Sequence, residues 1–293
     1  NFRGFLYLSD IFLVLFVFFS FAGKIDSVFS RRFPEGIKSI VALLFFGVLS
    51  TVFAFSAPVA VFGFIRLFIL VFLALSLARN IRAGMPTLKT VAILIGSSAI
   101  VQSLIAFFQF LRQSDLGLRI LGESVLSTGI NGVAEAVIGD GKLMRAYGTF
   151  PHPNILAAFL LIGLVSLYYL WLRRPSEWKI FSSLKNLFSD LMVGIGIFII
   201  LLGLLLTFSR TAWVIAAAAT LALVLYCFWT RRYWIQGMRL FILVLAISAA
   251  LYFNFQDFIV ARARVSATEP AVLLRLAYNK IGLDIIKNNP AGV

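Results

Sequence analysis

Residues 191–228 read LMVGIGIFIILLGLLL, then Thr207-Phe208-Ser209-Arg210-Thr211-Ala212-Trp213, then VIAAAATLALVLYCF. Two unbroken apolar runs are joined by a short turn that carries an arginine. Neither run alternates polar with apolar as a half-buried strand would. A backbone inside hydrocarbon must satisfy its own amides, so each run reads as a membrane-crossing helix. A guanidinium is costly in hydrocarbon, which puts Arg210 at a membrane surface or against a polar cavity. This stretch predicts an all-α, polytopic membrane protein.

The rest of the chain repeats the pattern. Of 293 residues, 61% are hydrophobic and 13% charged, with a mean hydropathy of +0.99. Soluble domains are about 45–50% apolar and about 25% charged. Eight apolar runs approach the ~20 residues that cross a bilayer. They fall at 5–22, 37–55, 58–78, 88–111, 154–172, 190–208, 211–229 and 240–255. The first is too long for a secretory leader, has no small-residue cleavage site and leads into further spans.

Lysines and arginines sort by side. One set of alternate connections holds Lys24, Arg31, Arg32 and Lys38; Arg79, Arg82 and Lys89; Arg173, Arg174, Lys179 and Lys185; and Arg231, Arg232 and Arg239. The opposite short segments hold Arg3 and Arg210. The positive-inside rule places the first set in the cytoplasm. Residues 112–153, Arg210 and everything from 256 to 293 then face outward. The formal charge of +14 comes largely from the cytoplasmic set meeting anionic headgroups, so it argues for the lipid bilayer as partner and not for nucleic acid. The single cysteine, Cys227, lies in an apolar run, which leaves no internal disulfide and no metal-binding spacing. The chain opens on Asn1 and stops at Val293, and is read as a fragment with one membrane domain.

Two outer segments carry the chemistry. The connection 112–153 far exceeds the ~12–15 residues of a plain loop, so it is functional or partly structured. Its acids Glu123, Glu135 and Asp140 read first as solvated charges, with contact to an acceptor sugar as the alternative. It ends in Arg145-Ala-Tyr-Gly-Thr-Phe-Pro-His-Pro-Asn154. The prolines keep this stretch extended, and Asn154 is a candidate N-cap for the next span. His152, the one histidine, is a candidate base or phosphate contact; bracing the turn is the plainer role. In the second segment, Pro270 at a first helical position predicts an amphipathic helix over 270–288. Leu274, Tyr278, Ile281 and Ile285 form its apolar stripe, and Arg275 lies beside Gly282. Such a helix could simply lie on the membrane surface. Away from the ends of the spans the charged residues are Asp10 and Arg66, and the two could pair.

From about residue 145 the chain resembles the O-antigen ligase and O-antigen polymerase superfamily of bacterial membrane glycan transferases. Three segments carry the likeness: Arg145-x-x-Gly148-Thr149-Phe150-x-His152-Pro153-Asn154; Thr207-x-Ser209-Arg210-Thr211-Ala212-Trp213; and Arg275-x-x-Tyr278 followed by Asn289-Pro290-x-Gly292. The resemblance implies a metal-independent, inverting glycosyltransferase that uses no cofactor. Its donor would be a glycan on undecaprenyl pyrophosphate, presented at the outer face of the cytoplasmic (inner) membrane. Its acceptor would be a hydroxyl of a lipid core or protein. The family's two key arginines map to Arg210 and Arg275, with Arg145, His152, Asn154, Ser209 and Tyr278 as further substrate contacts. The family's acceptor-activating histidine lies beyond its Asn-Pro-x-Gly stretch and so past Val293; His152 belongs to a different segment and is not given that role. Within the class, a polysaccharide polymerase stays open beside a ligase. The competing class is a lipid-linked glycan transporter or flippase, weakened because a proton-coupled path would need buried carboxylates.

Overall fold

A computed structural model of the chain describes residues 37–289, apart from 83, 85, 139–140, 174–183, 232 and 264–269. The first predicted span, Asp10 and Asp140 lie outside the described residues. The chain divides into two units, residues 1–87 with 266–293 and residues 88–265.

The first unit contains helices α1 (Ile37–Val52) and α2 (Ala57–Arg82), joined by a short turn, and α8 (Pro270–Asn288). Residues 57–78 of α2 are long and apolar enough to cross a membrane, whereas α1 is a shorter apolar helix. Gly47 of α1 faces the Phe64 ring of α2. The Arg66 guanidinium lies 4.7 Å from the centre of the Phe62 ring. Helix α8 begins at Pro270 and ends at Asn288, as its sequence predicts.

The second unit contains α3 (Leu88–Arg112), α4 (Pro153–Leu172), α5 (Leu184–Leu206), α6 (Arg210–Thr230) and α7 (Trp234–Ala263). Helices α3, α4, α6 and α7 have spanning length and α5 contributes a shorter apolar stretch. So of the eight expected spans, five reach spanning length, two are shorter apolar helices and one lies outside the described residues. This is a multi-pass helical membrane protein.

Lipid tails are as apolar as leucine, so helices in a bilayer associate by close packing rather than by expulsion of water. Helix α3 buries one face of small residues, Ala92, Gly96, Ala99, Ser103 and Ala106, ending in Gln109. Gly163 of α4 abuts Ala99, and a Cβ on Gly203 of α5 would lie 2.7 Å from that of Ser103. Helices α3, α4 and α5 pack together on this face; α6 and α7 pair with each other and close against α4 and α5. The buried core of leucines and isoleucines from α4, α5 and α7 fills the spaces between. Cys227 is buried against Gly237.

The connection between α3 and α4 is partly structured, as its length implies: it holds a 3-10 turn (Arg119–Leu121) and an antiparallel hairpin, β1 (Glu135–Ile138) with β2 (Gly141–Met144). Four-residue strands are too short for alternation to stand out in sequence. The last expected span, 240–255, lies within a helix that continues to Ala263, interrupted by a kink at Phe255 (φ −125°, ψ 23°). Asp257 and Arg262 mask that continuation in hydropathy.

Candidate functional site

The site is built around the turn between α5 and α6. A helix leaves its last four carbonyls without helical partners, and here each finds a donor. Leu204 O accepts from Thr207 Oγ1 at 2.7 Å and from the Trp213 indole at 3.0 Å. Leu205 O accepts from Phe208 N, and Leu206 O from Ala146 N at 3.1 Å. Thr207 O accepts from Arg145 Nε at 2.7 Å, and Phe208 O from Arg262 Nε at 3.2 Å. Two guanidinium groups thus sit on the negative end of the α5 dipole, where cations are favoured.

The chain turns at Phe208 (φ 50°), a left-handed position that usually falls to glycine. Ser209 is extended and buried, and its N–H reaches Thr207 Oγ1 at 3.3 Å. It is the N-cap of α6, but its side chain makes no capping bond. Arg210 is the first residue of α6, and no acid stands in that first turn. The first turn of α6 therefore adds a cation, and no carboxylate of its own, to the positive end of the dipole. That combination favours an anion.

The segment 145–154 is held from two sides. The buried guanidinium of Arg145 also donates from Nη2 to Asn154 Oδ1 at 2.7 Å, tying the turn to the start of α4. On the other side stand Gln102 and Gln109, seven residues apart on α3. Gln102 Oε1 accepts from Thr149 N at 2.9 Å while its Nε2 donates to Thr149 Oγ1 at 2.8 Å. Gln109 is fully buried: its Oε1 accepts from Gly148 N at 2.8 Å and Tyr147 N at 3.1 Å. Its Nε2 donates to Gly148 O at 2.8 Å and to Glu123 Oε1 at 2.6 Å. Gly148 is required here, since its φ is +60° and a Cβ would lie 2.6 Å from Gln102 Oε1.

His152, not Asn154, caps α4. Its Nδ1 accepts from Asn154 N at 3.1 Å, with Pro153 at the first helical position. The imidazole thus supplies the lone pair that a serine or aspartate oxygen normally gives, and Asn154 is left to hold Arg145. This is the bracing role, with Nδ1 already engaged. Glu123 is likewise no solvated charge: it is buried and accepts from Gln109, from Leu116 N at 2.8 Å and from Leu118 N at 2.5 Å. Glu135 stays nearer the surface, 3.8 Å from Lys142 Nζ.

The structure therefore brings Arg145, His152, Asn154 and Ser209 into one hydrogen-bonded assembly, with Arg210 next in the chain at the start of α6. Arg275 and Tyr278 are carried by α8, in the other unit, where the Tyr278 side chain is exposed. Sequence reading missed Gln102, Gln109 and Arg262. Two glutamines seven apart in an otherwise apolar span were the available signal, because buried amides need partners. Among the described residues, no group of three or more His, Cys, Asp or Glu is placed to hold a metal.

These features define a helical membrane protein in which arginines gather at the turn between two apolar helices. Residues 195–293 match the family described as O-antigen ligase, which bears out the resemblance over that stretch. The match includes the Arg210 turn and α8; the segment 145–154 lies before it. It points to a glycan transferase of the O-antigen ligase and polymerase type. Compared with curated proteins and with solved structures, the chain matches none.

Proposed function

We propose that this protein transfers a glycan from undecaprenyl pyrophosphate to an acceptor hydroxyl at the outer face of the bacterial cytoplasmic membrane, as an O-antigen ligase does. The observation that carries the reading is the start of α6, where Arg210, the helix dipole and the absence of a first-turn acid favour one anion. The acceptor oxygen attacks the anomeric carbon as its bond to the pyrophosphate oxygen breaks, with inversion. The acceptor's proton passes to a base, and undecaprenyl pyrophosphate departs. Guanidinium groups neutralise the charge that develops on the leaving oxygen. Arg210 takes this role from its place on α6, and Arg275 by the family likeness. Arg145 and Asn154 hold the turn, Ser209 lies next to the anion, and Tyr278 lines the glycan's path. His152 caps α4 and is not given the role of the base.

The test is transfer by the full-length protein. Arg210→Ala and Arg275→Ala are expected to lower kcat by about 10²–10³-fold with membrane insertion intact. Arg210→Lys should also be impaired, because it keeps the charge and loses the bidentate fork. Normal transfer by both alanine variants would sink the reading. Finished glycan stranded on its carrier identifies a ligase; loss of a repeat-length ladder identifies a polymerase.

A further inference from the structure

Phe208 poses a problem. A bulky residue at a left-handed φ is strained and persists only where its surroundings over-determine it. Its position matters because the next two residues are Ser209 and Arg210. What holds Phe208 comes largely from α7, more than 45 residues later in the chain.

The kink at Phe255 redirects the last turns of α7. Beyond it, Phe258 and Arg262 are four residues apart and share a helix face. Both meet Phe208. The Phe258 ring centre lies 6.4 Å from that of the buried Phe208 ring, and Arg262 Nε donates to the Phe208 carbonyl. Phe110 of α3 completes the cluster, 6.0 Å from Phe208 and 6.2 Å from Phe258. Phe255 itself packs on Phe258 at 6.0 Å. One helix face thus grips both ends of one residue, the ring through Phe258 and the carbonyl through Arg262.

We propose that the segment of α7 from Phe255 to Ala263 is a latch that fixes Phe208 left-handed, and that Arg262 is a positioning residue for Arg210. The inference rests on the transferase reading for its catalytic consequence, but not for the latch itself. Releasing the carbonyl lets Phe208 leave its strained conformation, which turns Ser209 and re-aims the first turn of α6. Arg262 acts through Phe208 and not on the substrate. Six residues, 264–269, connect this latch to Pro270, so the segment that leads to Arg275 is the one that sets Arg210.

The test uses the full chain in detergent with Cys227 and any other cysteine replaced by serine and with Ser209→Cys, so that a maleimide reports on the turn alone. Ser209 is 8% exposed, so the reporter should label slowly. Adding Arg262→Ala should raise the labelling rate on the order of tenfold, as expected for losing one charged hydrogen bond. Phe258→Leu should move it the same way, and Arg262→Lys, which keeps a donor, should restore slow labelling. In the Ser209 background, Arg262→Ala should lower kcat with donor KM unchanged. Labelling unchanged in both Arg262→Ala and Phe258→Leu overturns the latch. A rise in donor KM at unchanged kcat also overturns it, since Arg262 would then bind donor directly. If the parent protein transfers no glycan, the functional reading fails while the labelling rates still decide the latch.

Discussion

The segment 145–154 and helix α8 both carry an arginine that the sequence marks as important, yet they are built in opposite ways. Around the first, nearly every polar group is matched: Arg145 bonds Thr207 O and Asn154, and Gln109 uses both ends of its amide on Glu123 and the Tyr147–Gly148 backbone. Around the second, large apolar side chains such as Leu274, Leu276, Tyr278, Ile281 and Ile286 are exposed, and a Cβ on Gly282 would meet open space. A shared sequence signature therefore does not mean a shared physical role. One arginine is part of a fixed frame, and the other rides on a helix whose described apolar side chains are exposed.

That contrast can be broken by mutation. The largest effect should come from Gln109→Leu, which removes one of Glu123's partners and those of the Tyr147 and Gly148 backbone in a buried site; the loss should be about 3 kcal/mol or more. Thermal unfolding in detergent would show it as a lowered Tm. If the variant is as stable as its parent, the frame is not what holds the segment. Next comes Gly148→Ala, where a left-handed φ and the crowding of Gln102 should together cost about 2 kcal/mol. Asn154→Ala removes a charged hydrogen bond from Arg145 and should cost about 1.5–3 kcal/mol if Arg145 finds no substitute. Asn154→Asp, which keeps the acceptor, should recover most of it.

The smallest effect sharpens the other side. Gly282→Ala lies within an exposed helix and should be neutral or stabilising by up to about 1 kcal/mol. Should transfer fall in that variant while stability holds, the space beside Gly282 is used by substrate. Should stability fall, the helix is packed more tightly than its exposure implies.

Hydropathy and the positions of lysine and arginine were enough to read a multi-pass helical protein, because hydrocarbon permits so few backbone solutions. Helix α8 was legible for a similar reason, with Pro270 and Asn288 marking its ends. The likeness to O-antigen ligases could also be read residue by residue, and residues 195–293 match that family. The hairpin 135–144 could not be read, since four-residue strands leave too little pattern. Nor could the roles within the frame. Asn154 looked like the cap and His152 like a brace for the turn, with a base or phosphate contact as the alternative; the backbone's entry into α4 gave the cap to His152 and freed Asn154 for Arg145.

The sequence by itself determined that this is a multi-pass helical membrane protein and which arginines to suspect, because the cost of burying charge and unbonded amides is local and large. Only the tertiary structure decided which partner each polar group takes. Gln109 meets Gly148 across 39 residues, and Arg145 meets Thr207 across 62. Such pairs are fixed by small-residue packing that lets α3, α4 and α5 approach closely, and no local pattern along the chain encodes that approach.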